Sequence, residues 1–359
     1  EDEGGEDEDE DEDEGGEDNK IEEAYNIKSP GFNEKKKDFY KKQKKVIYID
    51  TTDSWSSNEA VAKTITNAVD AGYNVIILAF LMSSNPPNLN EFGAVDMCKG
   101  WEDFDDSLKK RTMEYVHQKG AIVLAAAGGG ADYNLFSKYS GDDFGKNAAN
   151  WVKKNMLDGL DFDIEHFDYG LKLPDGRDGI DYVSDAHKAA RLILGSDAYI
   201  SHAPQAPYFG PINPTNSNLW WTQDTGGYNK VYEENPDIDF FNIQFYNQGK
   251  EEDGLYTTYD NLFIESNSDF PGTSVKEIAS YGIPYEKIVV GKYMRSTIDG
   301  TSGYVSAPAL NVMLKRAKND FPKYFPISVM VWQYPGENDW KGQGAKTAKE
   351  WIDQVYKGL

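Results

Sequence analysis

Eight short β-rich apolar runs, with helical patterns between most of them, predict an α/β chain built as a single-domain (β/α)8 TIM barrel. Strands that alternate with helices form parallel βα units. The runs recur at a mean spacing of about forty residues, so eight units fill about 315 residues, a normal length for such a barrel. After residue 45 no linker-like Pro/Ser/Gly tract interrupts the alternation. An open, doubly wound sheet is the other architecture with this pattern, because alternation does not show whether the first and last strands meet.

The runs are "VIYID" from Val46, "NVIILAFL" from Asn74, "AIVLAAAG" from Ala121, "LDGLDFDIE" from Leu157, "AYISHAP" from Ala198, "DFFNIQFYN" from Asp239, "KIVVGKY" from Lys287 and "ISVMVWQY" from Ile327. Among the helices, "SSNEAVAKTITNAVDAG" opens on capping residues and stops at Gly72, and "SLKKRTMEYVHQKG" stops at Gly120. "DYVSDAHKAARLILG" runs to Gly195, and "GAKTAKEWIDQVYKGL" is expected as the last helix. The long inter-strand stretches 82–120 and 247–286 are expected to carry loop excursions over one face.

With 39% hydrophobic residues, 23 Tyr, 17 Phe and 8 Trp, most of the chain has material for a core, which excludes wholesale disorder. The acidity is uneven. Residues 1–18 hold fourteen Asp or Glu and no base, and without them the formal net charge moves from −24 to −10. Such a like-charge block cannot bury enough surface to offset its ordering entropy, so residues 1–20 are expected as a disordered acidic tail. Residues 21–45, with "KKKDFYKKQKK" at 35–45, read as a basic linker to the first strand, and 46–359 as the barrel. A nucleic-acid partner is disfavoured, since phosphate contacts require a basic face. No apolar run approaches the roughly 18 residues needed to span a bilayer. The chain as given opens without a signal-peptide pattern, either because none existed or because it has been removed. A single cysteine, Cys98, excludes an intrachain disulfide, which fits a reducing compartment, though a large core needs no covalent staple.

One run departs from core chemistry. In "DGLDFDIEHFDYG", 158–170, strand alternation sends Asp161, Asp163 and Glu165 to one face and Leu160, Phe162 and Ile164 to the other. In a barrel the apolar face suits the helix layer, so the acids point inward, with Glu165 at the carboxyl end where such barrels place their chemistry. Carboxylates about 7 Å apart along a strand in a partly buried cavity cannot all ionise cheaply, so at least one should hold a proton near neutral pH. A carboxylic acid kept protonated is what a general acid needs. The alternatives are a solvated acidic edge strand or a metal site. Against both stand the Phe and Ile between the acids, and His117, His166, His187 and His202, which show no ligand spacing.

Asp158-Gly159-x-Asp161-x-Asp163-x-Glu165 resembles the DGxDxDxE signature of glycoside hydrolase family 18, the chitinases and their relatives, and "DFDIEH" resembles the class III plant and fungal branch. In the same order, "IVLAAAGGG" at 122–130 resembles the family's third-strand SxGG segment, and "HAPQAP" at 202–207 its fifth-strand end. "IQFYN" at 243–247 resembles the sixth-strand motif, "GYV" at 303–305 follows strand seven, and "VMVWQY" at 329–334 resembles the eighth-strand tryptophan. The likeness covers roughly 45–357.

The resemblance implies an endo-acting retaining chitinase whose substrate's own acetamido oxygen attacks the anomeric carbon. Glu165 would be general acid and base, Asp163 would stabilise the oxazolinium ion with Asp161 sharing its charge, and Tyr246 would hold the acetamido carbonyl in line. Trp332 would form the apolar floor under the sugar. Gln244, Asn247, Gln205, Gly128, Gly129 and Phe80 complete the implied substrate-binding set. No cofactor and no metal are implied, the expected partner is chitin or an N-acetylglucosamine oligosaccharide, and a secreted, extracellular monomer is expected. The neighbouring readings are an endo-β-N-acetylglucosaminidase acting on N-glycan cores and a catalytically silent chitin-binding lectin, although such lectins usually lose the acid glutamate. Two departures are visible. Ala126 stands where the family usually has the serine of SxGG, removing a hydroxyl near Asp161, and the disulfides of the plant relatives cannot form here. Trp55, Trp220 and Trp221 either line a substrate groove or pack loops.

Overall fold

The computed structural model describes residues 33–84, 91–165, 172–210, 227–248, 255–296, 302–322, 327–336 and 343–359. The acidic stretch 1–18 lies outside them. Eight parallel strands close a barrel: β1 Lys45–Ile49, β2 Val75–Met82, β4 Ile122–Gly128, β5 Gly159–Asp163, β6 Tyr199–His202, β7 Phe240–Gln244, β8 Ile288–Tyr293 and β9 Ser328–Trp332. Closure comes from β1, which pairs in parallel with β2 on one side (Val46 to Val75) and with β9 on the other (Val46 to Met330). That excludes the open sheet. A ninth strand, β3 Gly93–Ala94, adds antiparallel to the end of β2.

All eight barrel strands coincide with the apolar runs of the sequence. Their alternation separates two cores. Val46, Tyr48, Val75, Ile77, Leu124, Ala126, Phe240, Val289 and Met330 fill the barrel interior. Ile47, Ile49, Leu160, Phe162, Ile164, Ile200 and Phe241 face the helix layer instead. That layer includes α1 Lys37–Lys41, α2 Asn58–Asp70, α3 Asp96–Glu102, α4 Asp106–Gln118, α5 Gly141–Lys154, α6 Gly179–Leu194, α7 Gly227–Glu234, α8 Val275–Ser280, α9 Ala307–Asp320 and α10 Ala348–Val355.

The helices read from the sequence begin on caps, of which only Ser57 lies at the expected start. Ser57 and Asp105 accept backbone N–H bonds from Ala60 and Leu108, Asp178 and Asp181 form a reciprocal capping box, and Thr347 accepts from Glu350. Each such cap contributes about 1 kcal/mol. The excursions expected at 82–120 and 247–286 carry β3, α3 and α4 in the first, and a π-helical turn at Asp260–Ile264 and α8 in the second. Among the described residues no helix is long and apolar enough to cross a membrane.

The stretch read as a basic linker departs from that reading from Asn33 onward, where it is part of the barrel base. Phe39 packs against Tyr199 and Phe240, with ring centroids 4.5 and 5.8 Å away. Lys36, 3% exposed, donates to both carboxylate oxygens of Asp239 at 2.9 and 3.0 Å and to the carbonyl of Ala198 at 2.6 Å. A run of like charges reads as a solvated face, but this lysine finds a buried anion just before β7 and loses that character. Burial lowers the Lys36 pKa, while the ammonium and Arg191 keep Asp239 below the usual carboxylate range.

Candidate active site

β5 delivers the carboxylates as its alternation requires, and the two motif letters before them, Asp158 and Gly159, are structural. Asp158 accepts from Val123 N at 2.8 Å and bonds His117 Nε2 at 2.8 Å, tying the start of β5 to β4 and to the end of α4. At Gly159 a Cβ would lie 1.9 Å from the carbonyl of Tyr199, so only glycine lets β5 and β6 approach. Asp161, Asp163 and Glu165 then climb the interior toward the carboxyl end of the strands.

Asp161 is fully buried and accepts three bonds: Tyr48 Oη at 2.6 Å, Ser201 Oγ at 2.6 Å and Asn242 Nδ2 at 3.2 Å. Burial raises its pKa to about 6, and the three donors pull against that rise. Asp163, 5% exposed, accepts from Gln244 Nε2 at 2.9 Å and is hydrogen-bonded to Glu165. Burial first, then the charges of Glu165 and Asp161, push its pKa well above the ordinary value. The crowding of the acids therefore favours a proton within the Asp163–Glu165 hydrogen bond. Glu165 itself is half-buried at the open end of the strand, with Gln244 Nε2 at 3.3 Å.

Tyr246 faces these acids from the end of β7, 5% exposed, its ring centroid 4.5 Å from that of Tyr293. Burial, Tyr293 and the three carboxylates hold its pKa well up, so the phenol stays a neutral donor. Trp332, at the end of β9, lies 5.6 Å from Tyr48 and 5.7 Å from Phe80 between ring centroids, forming an aromatic wall. Gly129 leaves room for that wall, since a Cβ there would meet the Phe80 ring at 2.9 Å. At Gly128, φ +110°, a Cβ would lie 2.3 Å from the Asp163 carbonyl, which accepts the Gly129 N–H at 2.7 Å.

The sequence-expected residues thus converge, with roles more finely divided than expected. Gln244 Nε2 divides its two hydrogens among Asp163, the Ala203 carbonyl and, at the longer 3.3 Å, Glu165, so it orients the acids. Gly128 and Gly129 shape the site through backbone and space. Asn247 is exposed and donates to Tyr293 Oη at 2.6 Å, while Gln205 is half-buried and its backbone bridges to Gln244. Trp55 is 54% exposed with its ring against Gly100 of α3. Trp220, Trp221, His166 and Asp168 lie outside the described residues.

Tyr48, Ser201 and Asn242 were missed. Each stands two residues from another inward position, Val46, Ala203 and Gln244, so the alternation read in β5 would have found them in β1, β6 and β7. Ser201 also supplies a hydroxyl that Ala126 does not. Asp161 is in register with Ala126 on one side and Ser201 on the other, and takes its hydroxyl from the second. Among the described residues no group of three or more His, Cys, Asp or Glu is arranged to hold a metal ion.

The closed barrel thus brings stacked acids, a tyrosine and a tryptophan together at the carboxyl end of its strands, an arrangement compatible with a glycoside-hydrolase barrel. The chain belongs to glycosyl hydrolases family 18, whose family model matches residues 33–325. Its fold is similar to that of a family 18 chitinase from Pseudoalteromonas aurantia (24% identity, 88% of this chain and 100% of that chain, TM-score 0.58). It is also similar to a putative chitinase A from Streptomyces coelicolor (18%, 88% and 95%, TM-score 0.56) and to a mutant of a family 18 chitinase from Cycas revoluta in complex with (GlcNAc)4 (13%, 87% and 97%, TM-score 0.53). No curated protein matches the chain.

Proposed function

We propose that the chain is an endo-acting, retaining hydrolase of β-1,4-linked N-acetylglucosamine polymers, working through the substrate's own acetamido group. The observation that carries the reading is the hydrogen-bonded Asp163–Glu165 pair in front of the Tyr246 phenol, bridged by Gln244, where burial and the neighbouring charges favour a protonated Asp163. Passing that proton along the bond leaves Glu165 protonated at the open end and Asp163 ionised beneath it. Glu165 then gives the proton to the leaving glycosidic oxygen as the acetamido oxygen attacks the anomeric carbon and the C–O bond breaks. The ionised Asp163 faces the positive oxazolinium ion, and Tyr246 donates to the acetamido oxygen and holds it in line. Water next attacks the anomeric carbon and gives its proton to Glu165, and the ring opens to a β-anomeric product. Trp332, Phe80 and Tyr48 supply the apolar wall that suits the C–H face of a pyranose and excludes water.

Turnover of N-acetylglucosamine oligomers and of a high-mannose glycoprotein, with Glu165→Gln as control, tests the reading. The wild type should cut the oligomers and release β-anomeric product first. The variant should bind them and lose turnover by about 10²–10⁴-fold, the usual contribution of a general acid. Wild-type rates in Glu165→Gln would end the assignment of the acid. Product first formed as the α anomer would rule out acetamido participation. Cutting of the glycoprotein alone would favour the endo-β-N-acetylglucosaminidase, and binding without cutting the lectin.

A further inference from the structure

Lys292 lies in β8 with no surface exposed, on the side away from the barrel interior, among groups that carry no counter-charge to it. Its ammonium donates to three backbone carbonyls: Phe245 at 2.8 Å, Tyr256 at 2.6 Å and Gly303 at 3.1 Å. Three acceptors match the three N–H donors of an ammonium, whereas a neutral amine would leave one carbonyl without its bond. Desolvation drags the lysine's pKa down to about 7, so the group is costly where it stands. An apolar residue would fill the same place without that cost.

The three carbonyls belong to three separate segments that meet around one side chain. Phe245 immediately precedes Tyr246. Gly303, at φ +80°, packs so closely that a Cβ would lie 2.8 Å from Tyr246 Cα, and the neighbouring Ser302 carbonyl accepts the Asn247 N–H at 3.0 Å. Tyr256 sets its ring edge against Phe245, centroids 5.2 Å apart, and its hydroxyl bonds Thr273. The Tyr246 backbone is therefore held on both sides by segments that Lys292 joins.

We infer that Lys292 is a positioning residue for Tyr246: its ammonium gathers the carbonyls of Phe245, Tyr256 and Gly303 and so fixes the tyrosine hydroxyl opposite Asp163 and Glu165. The inference rests on the proposed reaction, in which that hydroxyl aligns the acetamido group. Misplacement of an aligning group by about 1 Å costs on the order of 10²-fold in rate.

The test is a double-mutant cycle of Lys292→Met and Tyr246→Phe, with kcat and KM measured on an N-acetylglucosamine oligomer and thermal unfolding followed in parallel. Lys292→Met should lower kcat roughly 10- to 100-fold with KM changed less than about threefold. On the Tyr246→Phe background the same change should cost less than about twofold, because the group it positions is gone. A purely structural lysine would give equal losses on both backgrounds, and that result, or an unchanged kcat in Lys292→Met, overturns the inference. Should Lys292→Met not fold, Lys292→Gln, which keeps two donors, carries the same cycle. A wild type without turnover removes the functional reading and this inference with it. An active wild type with additive losses removes the inference alone.

Discussion

Removing the Tyr48 hydroxyl should cost more at alkaline than at acid pH. Burial lifts the Asp161 carboxyl from 3.8 to about 6, so between those values the folded protein holds a proton that the unfolded chain has released. Stability contributed by Asp161 is therefore greatest below about 4 and is lost as pH rises through 6. At 1.36 kcal/mol per pH unit the loss is about 3 kcal/mol. Above that window the ionised carboxylate depends on its three donors, of which Tyr48 at 2.6 Å is one of the two shortest. Tyr48→Phe deletes this bond and keeps the ring that packs on Trp332. A hydrogen bond to a charged group is worth roughly 2 kcal/mol and a neutral one about 1 kcal/mol. The variant should thus be destabilised by about 2 kcal/mol at pH 8 and about 1 kcal/mol at pH 4.5, and the Asp161 midpoint should rise by a little under one pH unit. Asp163 titrates in both proteins and cancels from the comparison to first order. Urea unfolding of both proteins at the two pH values, with unchanged m, is the measurement. An equal cost at both pH values, or a larger one at pH 4.5, would refute the reasoning.

Two further substitutions test the frame that holds the site. Gly159→Ala places a Cβ 1.9 Å from the Tyr199 carbonyl and should cost more than about 4 kcal/mol or yield no soluble protein, whereas Gly176→Ala, with nothing within 4 Å, should cost about 1 kcal/mol for its φ of +84°. Similar melting temperatures for the two would show that β5 and β6 separate easily. Lys36→Met leaves the buried Asp239 with Arg191 at 3.4 Å as its remaining ion-pair partner, beside the Tyr40 hydroxyl and the Ile200 N–H, and should cost about 3 kcal/mol, partly regained in the double variant with Asp239→Asn. A loss below about 1 kcal/mol in chemical denaturation would place the ion pair among weak surface contacts.

The acids of β5 were legible because a pleat has a strict period of two, and apolar Phe162 and Ile164 between them leave only one way to face the chain. The cap at Ser57 was legible for a similarly local reason, whereas Asp105 and Asp178 cap helices that begin one and two residues before the starts expected at Ser107 and Asp181. Closure was not, since it depends on β1 meeting both β2 and β9, and no local pattern records the distance between strands. The donors to Asp161 were half legible. Alternation marks Tyr48, Ser201 and Asn242 as inward, but which inward side chains share a height depends on the stagger between strands. Nor does spacing foretell that His187 Nδ1 and His202 Nε2 lie 3.0 Å apart beneath α6, or that Lys36 and Lys292, charged letters in the sequence, end as buried donors.

Ala126 and Ser201 flank Asp161 from opposite neighbours, and only the second carries a hydroxyl. An inward side chain on a strand of a closed barrel has a neighbour at its own height on the strand to either side. Either can supply the same donor, so the inventory around such a group is preserved by the ring as a whole. A motif scored one strand at a time would register the missing hydroxyl at Ala126 and overlook the donor that the strand on the other side supplies.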